Sequence, residues 1–262
     1  MLKTDIITGA ILFVSGVVLF SMSPDRLSMI LIGVMVALMV VGYFMSVLPS
    51  THYAAGFRRG IGFIQKSRKV QSANVWISVS QADAIFMNET LDGLFQEYKE
   101  KVRSRTAESA RSLYDISDFI NETELELKTW QRVTSAIPST ITALGILGTF
   151  IGLIAGISDI HFSSVEVAVG SVQTLLSGIS TAFYTSVSGV ILSIVYNLVS
   201  SYTWNFMLLQ MDRFERDYHT YVSDSADVRD KLLRNANARD ILIHLDKLIS
   251  LQRAEDSGNV ND

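Results

Sequence analysis

Hydrophobic positions along this chain gather in long blocks that carry no Asp, Glu, Lys or Arg: Ile6 to Pro24, Leu27 to Phe57, Val133 to Ser158 and Val167 to Met211. Apolar runs of this length predict membrane-crossing helices. Hydrocarbon offers the backbone no hydrogen-bond partners, and ~20 helical residues at a rise of ~1.5 Å each cover its roughly 30 Å. The pattern places spans at 6–22, 28–48, 138–157 and 174–203. Only SPDRL separates the first two runs, a tight turn, so the first run reads as a retained span and not as a cleaved leader. Pro49 and Pro138 are expected at helix boundaries, where a missing amide hydrogen is tolerated. The predicted fold class is an all-α membrane protein with four transmembrane helices, a cytoplasmic helical section and a cytoplasmic C-terminal helix.

Between the second and third spans the pattern changes. From Gln81 to Trp130 the chain is charged and has no proline, and Ile85, Leu91, Leu94, Phe95, Tyr98, Val102, Leu113, Ile116, Phe119 and Ile120 recur at helical intervals. That predicts two or three amphipathic helices, running on into the third span through ELELKTWQRVTSAIPS. After the fourth span, Phe214, Tyr218, Tyr221, Val228, Leu232, Leu242, Leu245 and Ile249 keep a near-heptad spacing. Span four is therefore expected to continue into a self-associating tail helix, with a disordered end beyond Arg253. The resulting organisation is a peripheral hairpin at 1–50, a cytoplasmic helical section at 51–137, a second hairpin at 138–205 and the tail at 206–262.

Charge sets the orientation. HYAAGFRRGIGFIQKSRKV, just after span two, carries Arg58, Arg59, Lys66, Arg68 and Lys69 and no acid, whereas SDIHFSSVEVAVGSVQ, between spans three and four, has Asp159 and Glu166 and no Lys or Arg. By the positive-inside rule the first lies in the cytoplasm and the second outside, which puts both termini inside. The same basic run fits topology and headgroup contact better than nucleic-acid binding. Neither the net charge of −4 nor the 262-residue length narrows function further, but the absence of cysteine excludes disulfides and thiolate metal sites. His52, His161, His219 and His244 are scattered without ligand spacing, so no metal site is expected.

Spans three and four share an unusual feature. In GILGTFIGLIAG, residues 145–156, Gly145, Gly148, Gly152 and Gly156 fall at spacings of three and four with Thr149 among them. In GISTAFYTSVSGVILSIVYNLV, residues 178–199, Gly178, Ala182, Thr185, Ser186, Gly189 and Ser193 share one face, with Thr181 and Ser188 at its border. Small faces allow close helix packing in a membrane, and that by itself explains either span. Together they carry hydroxyls in excess of what packing needs, including Thr140, Thr142, Thr149, Thr174, Ser177, Ser180, Thr181, Thr185, Ser186, Ser188 and Ser193. Such a set fits a polar corridor, although hydroxyls also bond back to their own helix. No Asp, Glu, Lys, Arg or His lies inside a predicted span apart from the helix ends. If the chain conducts ions, a titrating carboxylate has to come from another polypeptide.

LGILGTFIGLIAGI and GISTAFYTSVSG, together with the long section between spans two and three, resemble the MotA/TolQ/ExbB proton-channel family, and the four-span layout resembles its MotA branch. AFYTSVSGVILS and LGTFIGL are most similar to the ZorA branch, channel subunits of the Zorya antiphage system. The resemblance implies a proton or sodium channel subunit of an ion-driven rotary motor in a bacterial inner membrane. The subunit would be a homopentamer around a dimer of a single-span partner similar to MotB, ExbD, TolR or ZorB, with a membrane Asp and a cell-wall-binding domain. It places the ion pathway at Thr149 and Ser186, with Thr185 and Thr181 beside them. Pore-face packing falls to Gly145, Gly148, Gly152, Gly156, Gly178, Ala182 and Gly189. Thr142 and Val195 stand where family pore helices often carry proline, and Thr181 where the ExbB branch has an acid. No catalytic residue and no cofactor is implied, and the chain reads as a non-enzyme. The competing reading is an oligomeric membrane scaffold that recruits partners through its cytoplasmic helices.

Overall fold

A computed structural model describes residues 2–70, 75–103, 114–158, 165–222, 238 and 241–245. The described residues form helices and turns and no strand. The first two helices are α1 (Leu2–Ser21) and α2 (Arg26–Gly42). A π-helical turn, Tyr43–Val47, joins α2 to α3 (Leu48–Val70). Then come α4 (Val75–Gln81), α5 (Glu89–Arg103), a 3-10 turn at Ile116–Asp118, α6 (Glu122–Lys128), α7 (Gln131–Thr134), α8 (Ile137–Ser158) and α9 (Val165–Tyr221).

Among the described residues, three helices are long and apolar enough to cross a membrane: Arg26–Val70, Gln131–Ser158 and Gly170–Tyr221. Asp5–Ser21 is a shorter apolar helix. The expected boundary at Pro49 is not there, because the helix runs from Arg26 to Val70 without a break. Proline cannot donate to the ladder and its ring crowds the carbonyl four residues back. The π turn immediately before it answers both demands: it widens the helix, and Leu48 N–H reaches back to the Tyr43 carbonyl. Pro138 behaves as expected, in the first turn of α8.

The chain divides into two compact units. One comprises Met1–Ala55 and Glu122–Leu209. Its core consists of Leu12, Ile32, Met35, Met39, Val47, Ile141, Leu192, Tyr196 and Val199. Helix α2 supplies Ser28, Leu31, Ile32, Met35, Met39 and Gly42, a buried stripe at spacings of three and four. Its other side, with Ile30, Val34 and Val41, is exposed, as are Phe13 on α1, Phe150 on α8 and Phe183 on α9. Apolar surface of this kind suits lipid or neighbouring helices.

The other unit comprises Gly56–Asn121 and Gln210–Asp262. Here the predicted amphipathic pattern meets a core: Ile85, Leu91, Phe95, Tyr98, Ile116 and Ile120 are buried, as are Phe214 and Tyr218 near the end of α9. Aromatic rings dominate, with Phe86 and Phe214 centroids 4.8 Å apart and Phe57 edge-on to Phe86 at 5.8 Å. Asp92 organises the turn before α5, accepting from the backbone amides of Ile85, Phe86 and Asn88 at 2.9 Å each.

The helix expected to run unbroken through ELELKTWQRVTSAIPS does not do so. It splits into α6, α7 and α8, and Trp130 between α6 and α7 adopts a left-handed conformation with φ 52° and ψ 25°. At the far end, Leu113, Val228, Leu232 and Ile249 lie outside the described residues, and Leu242 and Leu245 are exposed.

Candidate functional site

The bare faces of α8 and α9 bear on each other. Gly145, Gly148, Gly152 and Gly156 are all buried. A Cβ built on Gly152 would stand 2.9 Å from Ala182 N and Gly178 O, and one on Gly178 would stand 2.6 Å from Gly152 O and Gly156 Cα. One on Gly189 would meet Gly145 Cα at 2.9 Å, and one on Gly148 would meet Thr185 Oγ1 at 2.5 Å. At Gly152, Gly178 and Gly189 these are backbone approaches, and at Gly148 the neighbour is the Thr185 side chain; a residue without a side chain at those positions permits them. The seven small residues read from the sequence as pore-face packing therefore come together as one helix–helix contact within the chain.

The hydroxyls around that contact differ in burial. Thr149 is half-buried, its Oγ1 within reach of Gly145 O at 3.2 Å and of Ala182 O, across the seam, at 3.3 Å. Ser186 is half-buried too, and its carbonyl lies 3.4 Å from where a Gly145 Cβ would be. Further along, Ser193 Oγ donates to Pro138 O at 2.8 Å, a polar clasp between the helices, and Thr142 Oγ1 reaches the same carbonyl at 3.1 Å.

Thr185 and Thr181 are buried. Thr185 Oγ1 bonds back to Thr181 O at 3.0 Å or Ala182 O at 3.1 Å, so it serves its own helix. Thr181 donates to the Asp25 carboxylate, which also accepts from Ser28 N at 2.7 Å as the N-cap of α2. Of the four residues predicted for an ion pathway, Thr149 and Ser186 are half-buried and Thr185 and Thr181 are buried, and Thr149 and Thr185 both reach the Ala182 carbonyl, at 3.3 and 3.1 Å.

Asp25 is the feature that reading the sequence missed. The turn SPDRL signals an N-cap, but no local pattern pairs it with a threonine on α9. Burial pushes the Asp25 carboxyl up, yet the hydrogen bonds from Thr181 and Ser28 outweigh that and hold it below its ordinary 3.8. It is a charged clasp at the turn. The seam itself carries no charge from Ile137 to Ser158 or from Gly170 to Met211. It can therefore offer hydroxyl donors and carbonyl acceptors but no proton acceptor of its own at neutral pH.

Residues 81–216 match the MotA/TolQ/ExbB proton channel family. The chain belongs to that family. The matched stretch takes in α5 through α8 and most of α9, so the seam lies wholly inside it. Within the family the chain is similar to the Zorya protein ZorA of Escherichia coli (strain ATCC 8739), with 43% identity over 60 residues. That match covers 23% of this chain and 10% of the Escherichia coli protein. The apolar helices accord with a membrane protein of that family.

Proposed function

We propose that the chain is the ring subunit of an ion-driven membrane motor, passing protons or sodium ions across a bacterial inner membrane. Five copies surround two copies of a single-span partner of the MotB, ExbD, TolR or ZorB type, with a cell-wall-binding domain and a membrane Asp that titrates. Asp5–Ser21 completes a set of four spans, with both termini in the cytoplasm. The likeness to ZorA favours service in antiphage defence.

The observation that supports this reading is the half-burial of Thr149 on α8 and Ser186 on α9, two helices that meet backbone to backbone. These hydroxyls lie at an uncharged seam, in spans without an acid or base. A carboxylate brought alongside by another helix would find donors there and nothing to compete for its proton. In this scheme the glycines act indirectly: by letting α8 and α9 touch backbone to backbone, they set the spacing of the two hydroxyls. Buried Thr185 and Thr181 hold the α9 backbone that presents Ser186.

The test is the joint Thr149→Ala and Ser186→Ala change, made in cells that co-express a single-span partner of the proposed type. Ring mass is read by native mass measurement and ion flux by a pH-sensitive or sodium-sensitive dye in proteoliposomes. The expected outcome is an intact ring with flux reduced at least about tenfold, the loss of a differential interaction of roughly 1.4 kcal/mol. Unchanged flux through an intact ring would overturn the pathway and favour the scaffold reading.

A further inference from the structure

Just before α8 the chain wears its apolar residues on the outside. In α6 and α7 the buried positions are Leu125, Thr129 and Thr134, two of them threonines whose hydroxyls return to carbonyls of their own turn: Thr129 to Leu125 O at 2.8 Å and Thr134 to Trp130 O at 3.2 Å. Leu127, Trp130 and Val133 are exposed, by 58%, 57% and 58%, among the exposed polar residues Glu122, Thr123, Lys128 and Arg132. Large apolar side chains set among charged ones suit a boundary between water and hydrocarbon.

Two further observations support one here. Residues 131–158, α7 and α8 with the two-residue turn between them, form an apolar run of 28 residues that measures about 42 Å at ~1.5 Å per residue. That exceeds the roughly 30 Å of hydrocarbon and approaches the ~40–45 Å of a whole bilayer with headgroups. Dividing the excess between the two ends leaves about one turn, residues 131–134, in the headgroup layer. That turn is α7, adjoining Trp130. Lys128 and Arg132 alternate with the apolar residues, and Arg132 pairs with Glu126 at 3.2 Å. Tryptophan with an apolar ring and one N–H donor suits such a boundary, and long cationic stems reach from it toward water. The left-handed backbone at Trp130, a conformation L side chains rarely adopt, turns the chain between α6 and α7 at this point.

We propose that the α6–α7 corner is a lipid anchor: Leu127, Trp130 and Val133 seat in the headgroup layer of the bilayer and set the depth at which α8 crosses it. Glu122, Glu124 and Glu126 outnumber Lys128 and Arg132 by one, so the corner carries no net positive charge, and the anchor works on zwitterionic lipid and needs no anionic headgroup.

The test uses the full chain with Trp76→Phe and Trp204→Phe, which leaves Trp130 as the sole indole, reconstituted in phosphatidylcholine vesicles. Bromine is carried at carbons 6 and 7 in one lipid and at carbons 11 and 12 in another. Trp130 emission is expected to be quenched about twofold or more by the shallow bromolipid relative to the deep one, and little by aqueous iodide. Should the double variant fold poorly, the same quantity is read as the difference between the unaltered chain and Trp130→Phe. Insensitivity to both bromolipids would overturn the proposal, and with iodide also ineffective it would assign the face to another protein surface. Stronger quenching by the deep bromolipid would overturn it equally.

Discussion

Replacing Gly178 with alanine puts one methyl group where α8 and α9 meet backbone to backbone. The new Cβ would stand 2.6 Å from both Gly152 O and Gly156 Cα and 2.9 Å from Gly156 N. None of these atoms belongs to a side chain that can rotate away, so the helices must separate by about 0.8 Å to restore ordinary contact near ~3.4 Å. Overpacking of this kind costs about 1–3 kcal/mol. Alanine in place of glycine within a helix returns about 0.5–1 kcal/mol of propensity. The net expectation is a loss of about 1–2 kcal/mol. Gly93→Ala in α5 is the matched control: a Cβ there has nothing within 4 Å, so only the propensity gain of about 0.5–1 kcal/mol remains. Reversible denaturant unfolding of the reconstituted protein, followed by far-UV circular dichroism, compares the two variants. If Gly178→Ala is as stable as Gly93→Ala, the seam is not a close contact, and the account of the small-residue faces is wrong.

The remaining predictions concern clasps on the seam and the aromatic core. Asp25→Ala removes an N-cap and an interhelical acceptor and should cost about 2 kcal/mol, whereas Asp25→Asn keeps an acceptor oxygen and should cost less. Because the folded Asp25 carboxyl lies below 3.8, its contribution is present at neutral pH and disappears as pH falls through that lowered value. A stability–pH profile below pH ~4 should therefore be flatter in Asp25→Asn than in the unaltered chain. Ser193→Ala breaks the 2.8 Å bond to Pro138 O and should destabilise by about 0.6–1.7 kcal/mol in the same unfolding assay. Phe214→Ala empties a position buried among Phe57, Phe86 and Tyr218 and should cost about 3–5 kcal/mol, read as a fall in the unfolding midpoint.

Much of this protein was legible before any coordinates. Blocks free of charge marked the apolar helices, since hydropathy and helix length are properties of a contiguous stretch. The amphipathic spacing of Leu91, Phe95 and Tyr98 found its core, because a period of 3.6 residues needs only local geometry to define a face. The small-residue faces and their hydroxyls could be counted, and the family they resemble is the one that residues 81–216 match.

Partners distant in the chain were another matter. A glycine stripe states that something comes close, and only the fold shows that Gly152 meets Gly178 of the same chain. The Thr181–Asp25 bond joins residues 156 apart in sequence, beyond any local pattern. The same holds for the division of the hydroxyls, with Thr149 and Ser186 half-buried and Thr181 and Thr185 buried, which depends on where α2 and α8 lie around α9. Pro49 passed within a helix because a π turn formed ahead of it, and Trp130 broke a helix that periodicity ran straight through. Spacing along a chain determines which residues share a face, and the packing of one helix on another decides what that face touches.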